Sequence, residues 1–262
     1  MTLNQHFDNH PLVTKRADGL YCQHKLNFES FEKQYIELRG KENRLHSDEE
    51  TSQLPSVPTN HPHHAEWAIR KRSMEKLANY FKTKPIDNLL EVGCGNGWLT
   101  HHLSLNVKGS ACGLDVNEFE LAQAARVFSN NKITFLHGDV FENLLPIGYF
   151  DTIVLASSVQ YFSDFPKLIQ RMFEFGTRKA EVHIVDSPFY AQPEIVSARK
   201  RTENYFAQMG FSAMAQNYFH RSISDLNQFK WKYLYNPDSL KNRVLKKIGK
   251  ASPFPWIVIY AA

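Results

Sequence analysis

The sequence predicts an α/β fold with a parallel sheet covered by helices on both faces. Three observations predict it. From Asp87 onward, short apolar runs alternate with helix-period segments, the pattern of βαβ units. A glycine triplet, Gly93, Gly95 and Gly97, stands directly between an apolar run and a helical one. An acidic residue closes each of the next two apolar segments, Asp115 and Asp139.

The elements follow in order. Residues 1–20 are polar and read as a poorly ordered start. Phe28, Phe31, Tyr35 and Leu38 lie at helical spacing, so a helix is expected from Phe28 to Arg39. Residues 40–64 are charged, then rich in Pro, Ser and His, and read as an irregular loop. Trp67, Met74, Leu77, Ala78 and Phe81 mark a helix over 65–82. Strands are expected at 89–92, 111–114, 133–136, 152–155 and 181–185, buried on both faces as parallel strands are. Asn117 with Glu120 three residues on starts the helix that carries Leu121, Ala125 and Phe128. A helix near 165–175 buries Leu168, Met172 and Phe175, and another after Pro193 stops at Gly210. Residues 211–219 read as a strand, Ile223 to Leu234 as an inserted helix, and Leu240, Val244 and Ile248 as a further basic helix. Trp256 to Tyr260 is a last apolar strand. The division is an N-terminal extension or cap over 1–64 and a main domain over 65–262, with a helical insert near 220–250.

Composition narrows the function classes. The 262 residues are 42 % hydrophobic and 13 % aromatic, enough for a full core and unlike a disordered chain. No apolar run reaches the roughly 18 residues of a membrane span, and the polar start does not resemble a signal peptide. A cytoplasmic protein without membrane insertion is expected. A net charge of +4 is too mild to imply nucleic acid by itself. The three cysteines, Cys22, Cys94 and Cys112, form neither a disulfide framework nor a zinc pattern, and no metal is expected.

Ligands of such sheets bind outside the carboxyl ends of the strands, so the glycine loop, Asp115 and Asp139 point into one crevice. Glycines let a ligand touch the main chain. A carboxylate at Asp115 suits ribose hydroxyls, and one at Asp139 an exocyclic amine. A dinucleotide site expects a third glycine where Trp98 stands, and a P-loop expects the Gly-Lys-Ser/Thr that is absent.

Glu91-Val-Gly-Cys-Gly-Asn-Gly97, Gly113-Leu-Asp115, His137-Gly-Asp139 and Phe150-Asp-Thr-Ile-Val-Leu-Ala-Ser157 resemble the successive motifs of class I S-adenosylmethionine-dependent methyltransferases. The match is close over about 70–190 and looser beyond. The resemblance implies a three-layer Rossmann-like fold, a seven-stranded, mostly parallel sheet with an antiparallel last strand, and S-adenosyl-L-methionine as cofactor. It implies that Gly93, Gly95 and Gly97 meet the methionyl part with Glu91 at its amino group, Asp115 the ribose, and Asp139 and Val140 the adenine. Ala156 then lines the crevice. The segment from Phe31 to Arg39 is similar to one that precedes the domain in some uncharacterised bacterial methyltransferases. Some of these carry a zinc ribbon, whose cysteines this chain lacks.

Methyl transfer is a single in-line displacement that positioning accelerates, so no universal catalytic residue is required. His63, His64 and His220 are candidate general bases. Tyr161, Asp186 and Tyr190 follow the fourth and fifth strands and are candidates for substrate contact. Leu155-Ala-Ser-Ser-Val-Gln-Tyr161 lacks the Asn/Asp-Pro-Pro-Tyr/Phe motif of enzymes that methylate adenine N6 or glutamine amides. A small metabolite, lipid or glycan acceptor is expected by default. An RNA or DNA acceptor reached by the basic run Lys241 to Lys250, and a non-catalytic protein on the cofactor fold, are the rival readings; oligomeric state is open.

Overall fold

A computed structural model describes residues 2–247 and 251–261. Its elements run α1 (Leu3–Asp8), β1 (Val13–Lys15), β2 (Tyr21–Gln23), α2 (Glu29–Lys41), α3 (Asp48–Gln53), α4 (His64–Lys82), β3 (Leu89–Val92), α5 (Trp98–Ser104), β4 (Ala111–Asp115), α6 (Glu118–Phe128) and β5 (Ile133–His137). Then come β6 (Phe150–Ala156), α7 (Phe165–Phe175), β7 (Gly176–Val185), β8 (Phe189–Tyr190), α8 (Ile195–Met209), β9 (Arg221–Ser222), β10 (Lys230–Tyr235), α9 (Leu240–Lys247) and β11 (Trp256–Tyr260).

The main sheet has the order β1-β2-β5-β4-β3-β6-β7-β11-β10. From β5 to β7 every pairing is parallel, and β11 runs antiparallel to both β7 and β10. The expected Rossmann-like architecture is therefore present, with the antiparallel last strand. Chain order reverses at β3, which has β4 on one side and β6 on the other. That switch point opens a crevice at the carboxyl end of β3.

Helices cover both faces. On one face α7 buries Phe165, Leu168, Ile169, Met172 and Phe175 with Leu3 and Phe7 of α1. On the other, α4, α5 and α6 bury Trp67, Leu77, Leu99, Leu103, Leu121 and Phe128. A separate apolar cluster joins Leu38 of α2 to Phe206 of α8 and to Phe211 and Met214, so α2 is held above the sheet by its contact with α8.

Several expectations are corrected. The N-terminal residues are ordered: a capping box of Thr2 and Gln5 starts α1, and β2 pairs parallel to β5, adding a hairpin to the expected seven strands. Tyr21 seals the hairpin and donates to Asp8 at 2.7 Å. The hairpin of β1 and β2 thus extends the main sheet. The loop read at 40–64 contains α3, started by a second capping box of Ser47 and Glu50.

Residues 211–219 are not a strand; Ser212–Asn217 form a 3-10 turn. The helical insert near 220–250 is largely absent: over 221–235 the chain makes β9, a short 3-10 turn and the edge strand β10. Lys230, Trp231, Lys232 and Tyr233 alternate between exposed lysine and half-buried aromatic, and that period of two wins over the helical reading. Helix α9 forms, but Leu240 and Val244 on its apolar side are exposed. Ile248 and Lys250 of the expected basic helix lie outside the described residues.

Phe7 is 1 % exposed against Tyr21, their ring centroids 5.2 Å apart. Phe7→Ala is expected to lower stability by about 3–5 kcal/mol, measured as a shift of the urea midpoint. A loss near zero would show that the N-terminal hairpin is dispensable.

Candidate functional site

The crevice begins with the loop after β3. Gly93, Gly95 and Gly97 all take left-handed φ angles, 77°, 53° and 74°, which a side chain would strain. The Leu114 carbonyl accepts the N–H groups of Gly93 at 2.8 Å and Cys94 at 3.2 Å, tying the loop to β4. Asp115 completes the tie: one oxygen accepts the Gly95 N–H at 2.8 Å and the other the Asn117 N–H at 2.9 Å. Burial pushes the Asp115 carboxyl up, while these backbone donors pull it down.

A Cβ on Gly93 would stand 2.4 Å from that of Ser158, so no side chain fits between the ends of β3 and β6. Gly97 differs. A Cβ there would meet Phe135 at 2.6 Å and Ala124 at 2.8 Å, under the sheet, and Gly97 lines neither central cavity. Its glycine starts α5 and lets it pack. Cys94 is buried against Gly113, and burial raises its thiol.

Two cavities meet at Gly93, Gly95, Tyr35 and Ser157. The larger, about 340 Å³, lies over β4 and β5. Asp115, Val116, Asn117, Asp139, Val140 and Phe141 form its floor, and Phe28 with Phe31 and Tyr35 of α2 its roof. Its walls are mainly apolar, with Asp115 and Asp139 among the few acidic groups. Asn117 is 4 % exposed, and its side-chain amide nitrogen has no hydrogen-bond partner among the described residues. Asp139 accepts the Phe141 N–H at 2.9 Å, while its own N–H donates to Gln23 from the N-terminal hairpin.

The smaller cavity, about 100 Å³, lies between the glycine loop, α2 and α4. It is strongly charged. Glu66 accepts from both terminal nitrogens of Arg44 at 2.8 and 2.6 Å and from Arg70 Nε at 3.0 Å. Burial pushes the Glu66 carboxyl up, but the two guanidiniums outweigh it and hold the group at about 2. Arg39 donates to the Tyr35 hydroxyl at 2.7 Å and to Glu42 at 3.2 Å.

Three carboxylates on the same wall lack such partners. Burial raises Glu91 to about 8 despite a 2.5 Å bond from Thr100, and raises Glu120 to about 7. Asp186 is raised to about 6, again by burial, while accepting from Ser73 at 2.6 Å.

Of the residues expected from sequence, Glu91, Gly93, Gly95, Asp115, Asp139, Val140 and Ala156 all line these two cavities, as do Tyr161 and Asp186. Tyr190 lies apart, in a third cavity of about 330 Å³ that also holds Tyr161, Tyr205 and Tyr218. The candidate bases are not brought in. His63 contacts the Glu42 carbonyl, His64 the Pro58 carbonyl, and His220 the Thr202 hydroxyl, and none lines either central cavity. In their place Arg44 and His46, with Glu66, Trp67 and Arg70 of α4, line the smaller cavity. Sequence reading missed Arg44, His46, Glu66, Arg70 and Glu120 as site residues, because none of them belongs to a recognisable motif; they come together only in the folded crevice. Among the described residues, no group of three or more His, Cys, Asp or Glu side chains is placed to hold a metal ion.

Comparison with known proteins follows from this geometry. Residues 89–176 match the methyltransferase domain family. Among solved structures, the plantazolicin methyltransferase BpumL, crystallised with SAH and a monoazolic desmethylPZN analog, is similar over 90 % of this chain and 98 % of its own, at 14 % identity and a TM-score of 0.53. An S-adenosylmethionine-dependent methyltransferase from Mesorhizobium loti is similar over 75 % of this chain and 98 % of its own, at 15 % identity and a TM-score of 0.53. The YcgJ protein from Bacillus subtilis aligns over 72 % of this chain and 96 % of its own, at 15 % identity and a TM-score of 0.51.

The Glu66 knot makes one prediction. A depressed carboxyl contributes stability that is complete above its unfolded value and lost as pH falls. Stability is therefore expected to drop between about pH 4 and the folded value of about 2. Glu66→Gln, a third-exposed position, is expected to cost about 1–3 kcal/mol at neutral pH and to flatten that limb in acid denaturation. An unchanged limb would assign it to other carboxylates.

Proposed function

We propose that this chain, a class I S-adenosylmethionine-dependent methyltransferase, transfers the methyl group to a small-molecule acceptor by in-line displacement. The observation that carries the reading is the pair of cavities meeting at Gly93 and Gly95 beneath α2. One is apolar with few acids, the other charged and small. That division suits a nucleoside in the first and the methionyl end of the cofactor, with the reacting centre, at the second.

The residues present fit the cofactor. The unpartnered Asn117 amide and the carboxylates of Asp115 and Asp139 offer polar contacts in an otherwise apolar chamber. Asp115 keeps lone pairs for ribose hydroxyls beyond its two backbone bonds. Val140 and Phe141, opposite Phe28 and Phe31, suit the faces of a planar base. Gly93 and Gly95 allow main-chain contact, and Glu91 and Glu120 suit a cationic end group. When bound, S-adenosylmethionine supplies an electrophilic methyl group on a sulfonium sulfur.

The chain's own part is to bind, orient and exclude water. Helix α2 roofs the larger chamber with aromatic rings and reaches the smaller one through Tyr35 and Arg39. Enclosure removes water from the reacting atoms and fixes the line of attack. Ala156, Ser157 and Asp186 border the smaller chamber at the ends of β6 and β7, where an acceptor would approach. A chamber of this size suits a small acceptor; a polynucleotide needs an open basic groove.

The purified protein is expected to bind S-adenosylmethionine and S-adenosylhomocysteine and not NAD or ATP, by calorimetry. Preferential NAD binding would overturn the reading. Asp115→Ala is expected to fold and to weaken cofactor binding by about 1–3 kcal/mol. Normal binding by that variant would remove the ribose assignment. Tight, salt-sensitive binding of RNA or DNA would favour the nucleic-acid reading instead.

A further inference from the structure

We propose that the acceptor is an amine and that Asp186 receives its proton, an inference that rests on the transferase reading above. Asp186 ends β7 beside Ser157, which ends β6. Both take left-handed backbone angles, φ 51° and 53°, although neither is glycine. The Ser157 hydroxyl donates to the Asp186 carbonyl at 2.9 Å, locking the two strand ends together. These turns aim both residues into the smaller cavity, next to Gly93 and Ala156. Ser73 of α4 donates to one carboxylate oxygen at 2.6 Å. The other oxygen has no hydrogen-bond donor among the described residues and remains available on the cavity side.

The charges around it select the acceptor. Arg70, Lys76 and Glu66 of α4 act on Asp186, and Arg39, Arg44, Glu91 and Glu120 line the same cavity. Arg70 is engaged by Glu66 and lies 5.3 Å over the Trp67 ring, and Lys76 lies 3.8 Å over the Tyr235 ring. Arg44 is held bidentately by Glu66, and Arg39 by Glu42 and Tyr35. Glu91, Glu120 and Asp186 share the cavity without a direct ion pair. With the three arginines engaged, the free Asp186 oxygen is the carboxylate charge left on the acceptor side; it attracts an ammonium group and repels an anion.

The step balances. The ammonium gives one proton to the free Asp186 oxygen, and the nitrogen lone pair this exposes attacks the methyl carbon. The N–C bond forms as the S–C bond breaks, and its electron pair returns to sulfur. The proton leaves through solvent after product departs. Burial brings the partners closer in acidity, since it raises a carboxyl, here to about 6, and lowers an ammonium. Asp186 accepts the proton only as carboxylate, so the rate gains an acid limb near that value. Ser73→Ala removes a hydrogen bond to the carboxylate and moves the limb to higher pH.

The test uses the full-length protein, labelled S-adenosylmethionine and a metabolite extract of the source cells. One portion of extract is N-acylated and then treated with hydroxylamine, which reverses O-acylation but leaves amides. Acceptor activity is expected to vanish from that portion and to persist in a portion treated with hydroxylamine alone. Asp186→Asn, which tolerates the left-handed backbone, is expected to lose about 30-fold or more in rate while S-adenosylhomocysteine affinity stays within twofold by calorimetry. It is also expected to lose the acid limb that Ser73→Ala shifts upward. Acceptor activity surviving N-acylation, or Asp186→Asn retaining full rate and the same acid limb, overturns the inference. Failure of the wild type to bind S-adenosylhomocysteine, or no transfer to any extract component, is instead a failure of the transferase reading.

Discussion

The site depends on one short set of hydrogen bonds, the tie between the loop after β3 and the end of β4. The Leu114 carbonyl holds the Gly93 and Cys94 N–H groups, and Asp115 holds that of Gly95. A glycine loop without these anchors would sample many conformations, since glycine has the most freedom to lose. Anchored, it presents a fixed strip of main chain at the switch point of the sheet. Both cavities take their shared wall from that strip, and α5 takes its direction from Gly97. Asp115 therefore does two things at once: it braces the loop and turns its remaining lone pairs toward the larger cavity.

Electrostatics divides the crevice as sharply as shape does. Toward β5 the walls are apolar, with polar groups in few places. Toward α4 the chain gathers arginines and carboxylates that would be unremarkable on a surface. Brought together out of water, they sort themselves. Glu66 secures Arg44 and Arg70 and stays ionised far into acid, whereas Glu91, Glu120 and Asp186, lacking such partners, are lifted toward neutrality. Carboxyl groups on one helix-lined wall thus differ by several pH units because of what lies within hydrogen-bond reach.

Much of this was legible in the sequence, for identifiable reasons. Strands β3 to β7 are short apolar runs punctuated by glycine and acid, and the turn into α5 demands glycine at fixed positions. Local chemistry of that kind reads directly. The floor of the larger cavity was legible for the same reason, because strand ends converge wherever the sheet is parallel. Reading failed where partners are distant in the chain. The hairpin at 13–23 looks polar, and only β5, far along the chain, makes it a strand. Lys230 to Leu234 reads as part of a helix, and only pairing with β11 makes Lys230 to Tyr235 a strand. Arg44, His46, Glu66 and Arg70 carry no motif; they face the crevice because Leu38 seats α2 on Phe206 and Met214. The histidines drew attention by chemistry alone, and their neighbours send them elsewhere.

The pairing of β2 with β5 joins Tyr21 to Leu136 and Cys22 to His137. In a chain made from its N-terminus, the outermost parallel strand is synthesised long before its partner exists. Until then Phe7 and Tyr21 have no core to enter, and the hairpin must wait in solution or in the company of chaperones. The cost of closing so long a loop falls late in folding, after β3, β4 and β5 have found one another. The same order holds in reverse under stress. Release of the hairpin would bare an edge of the sheet, where chains aggregate. It would also withdraw Gln23 from Asp139, so the margin of the molecule and the rim of its ligand chamber loosen together.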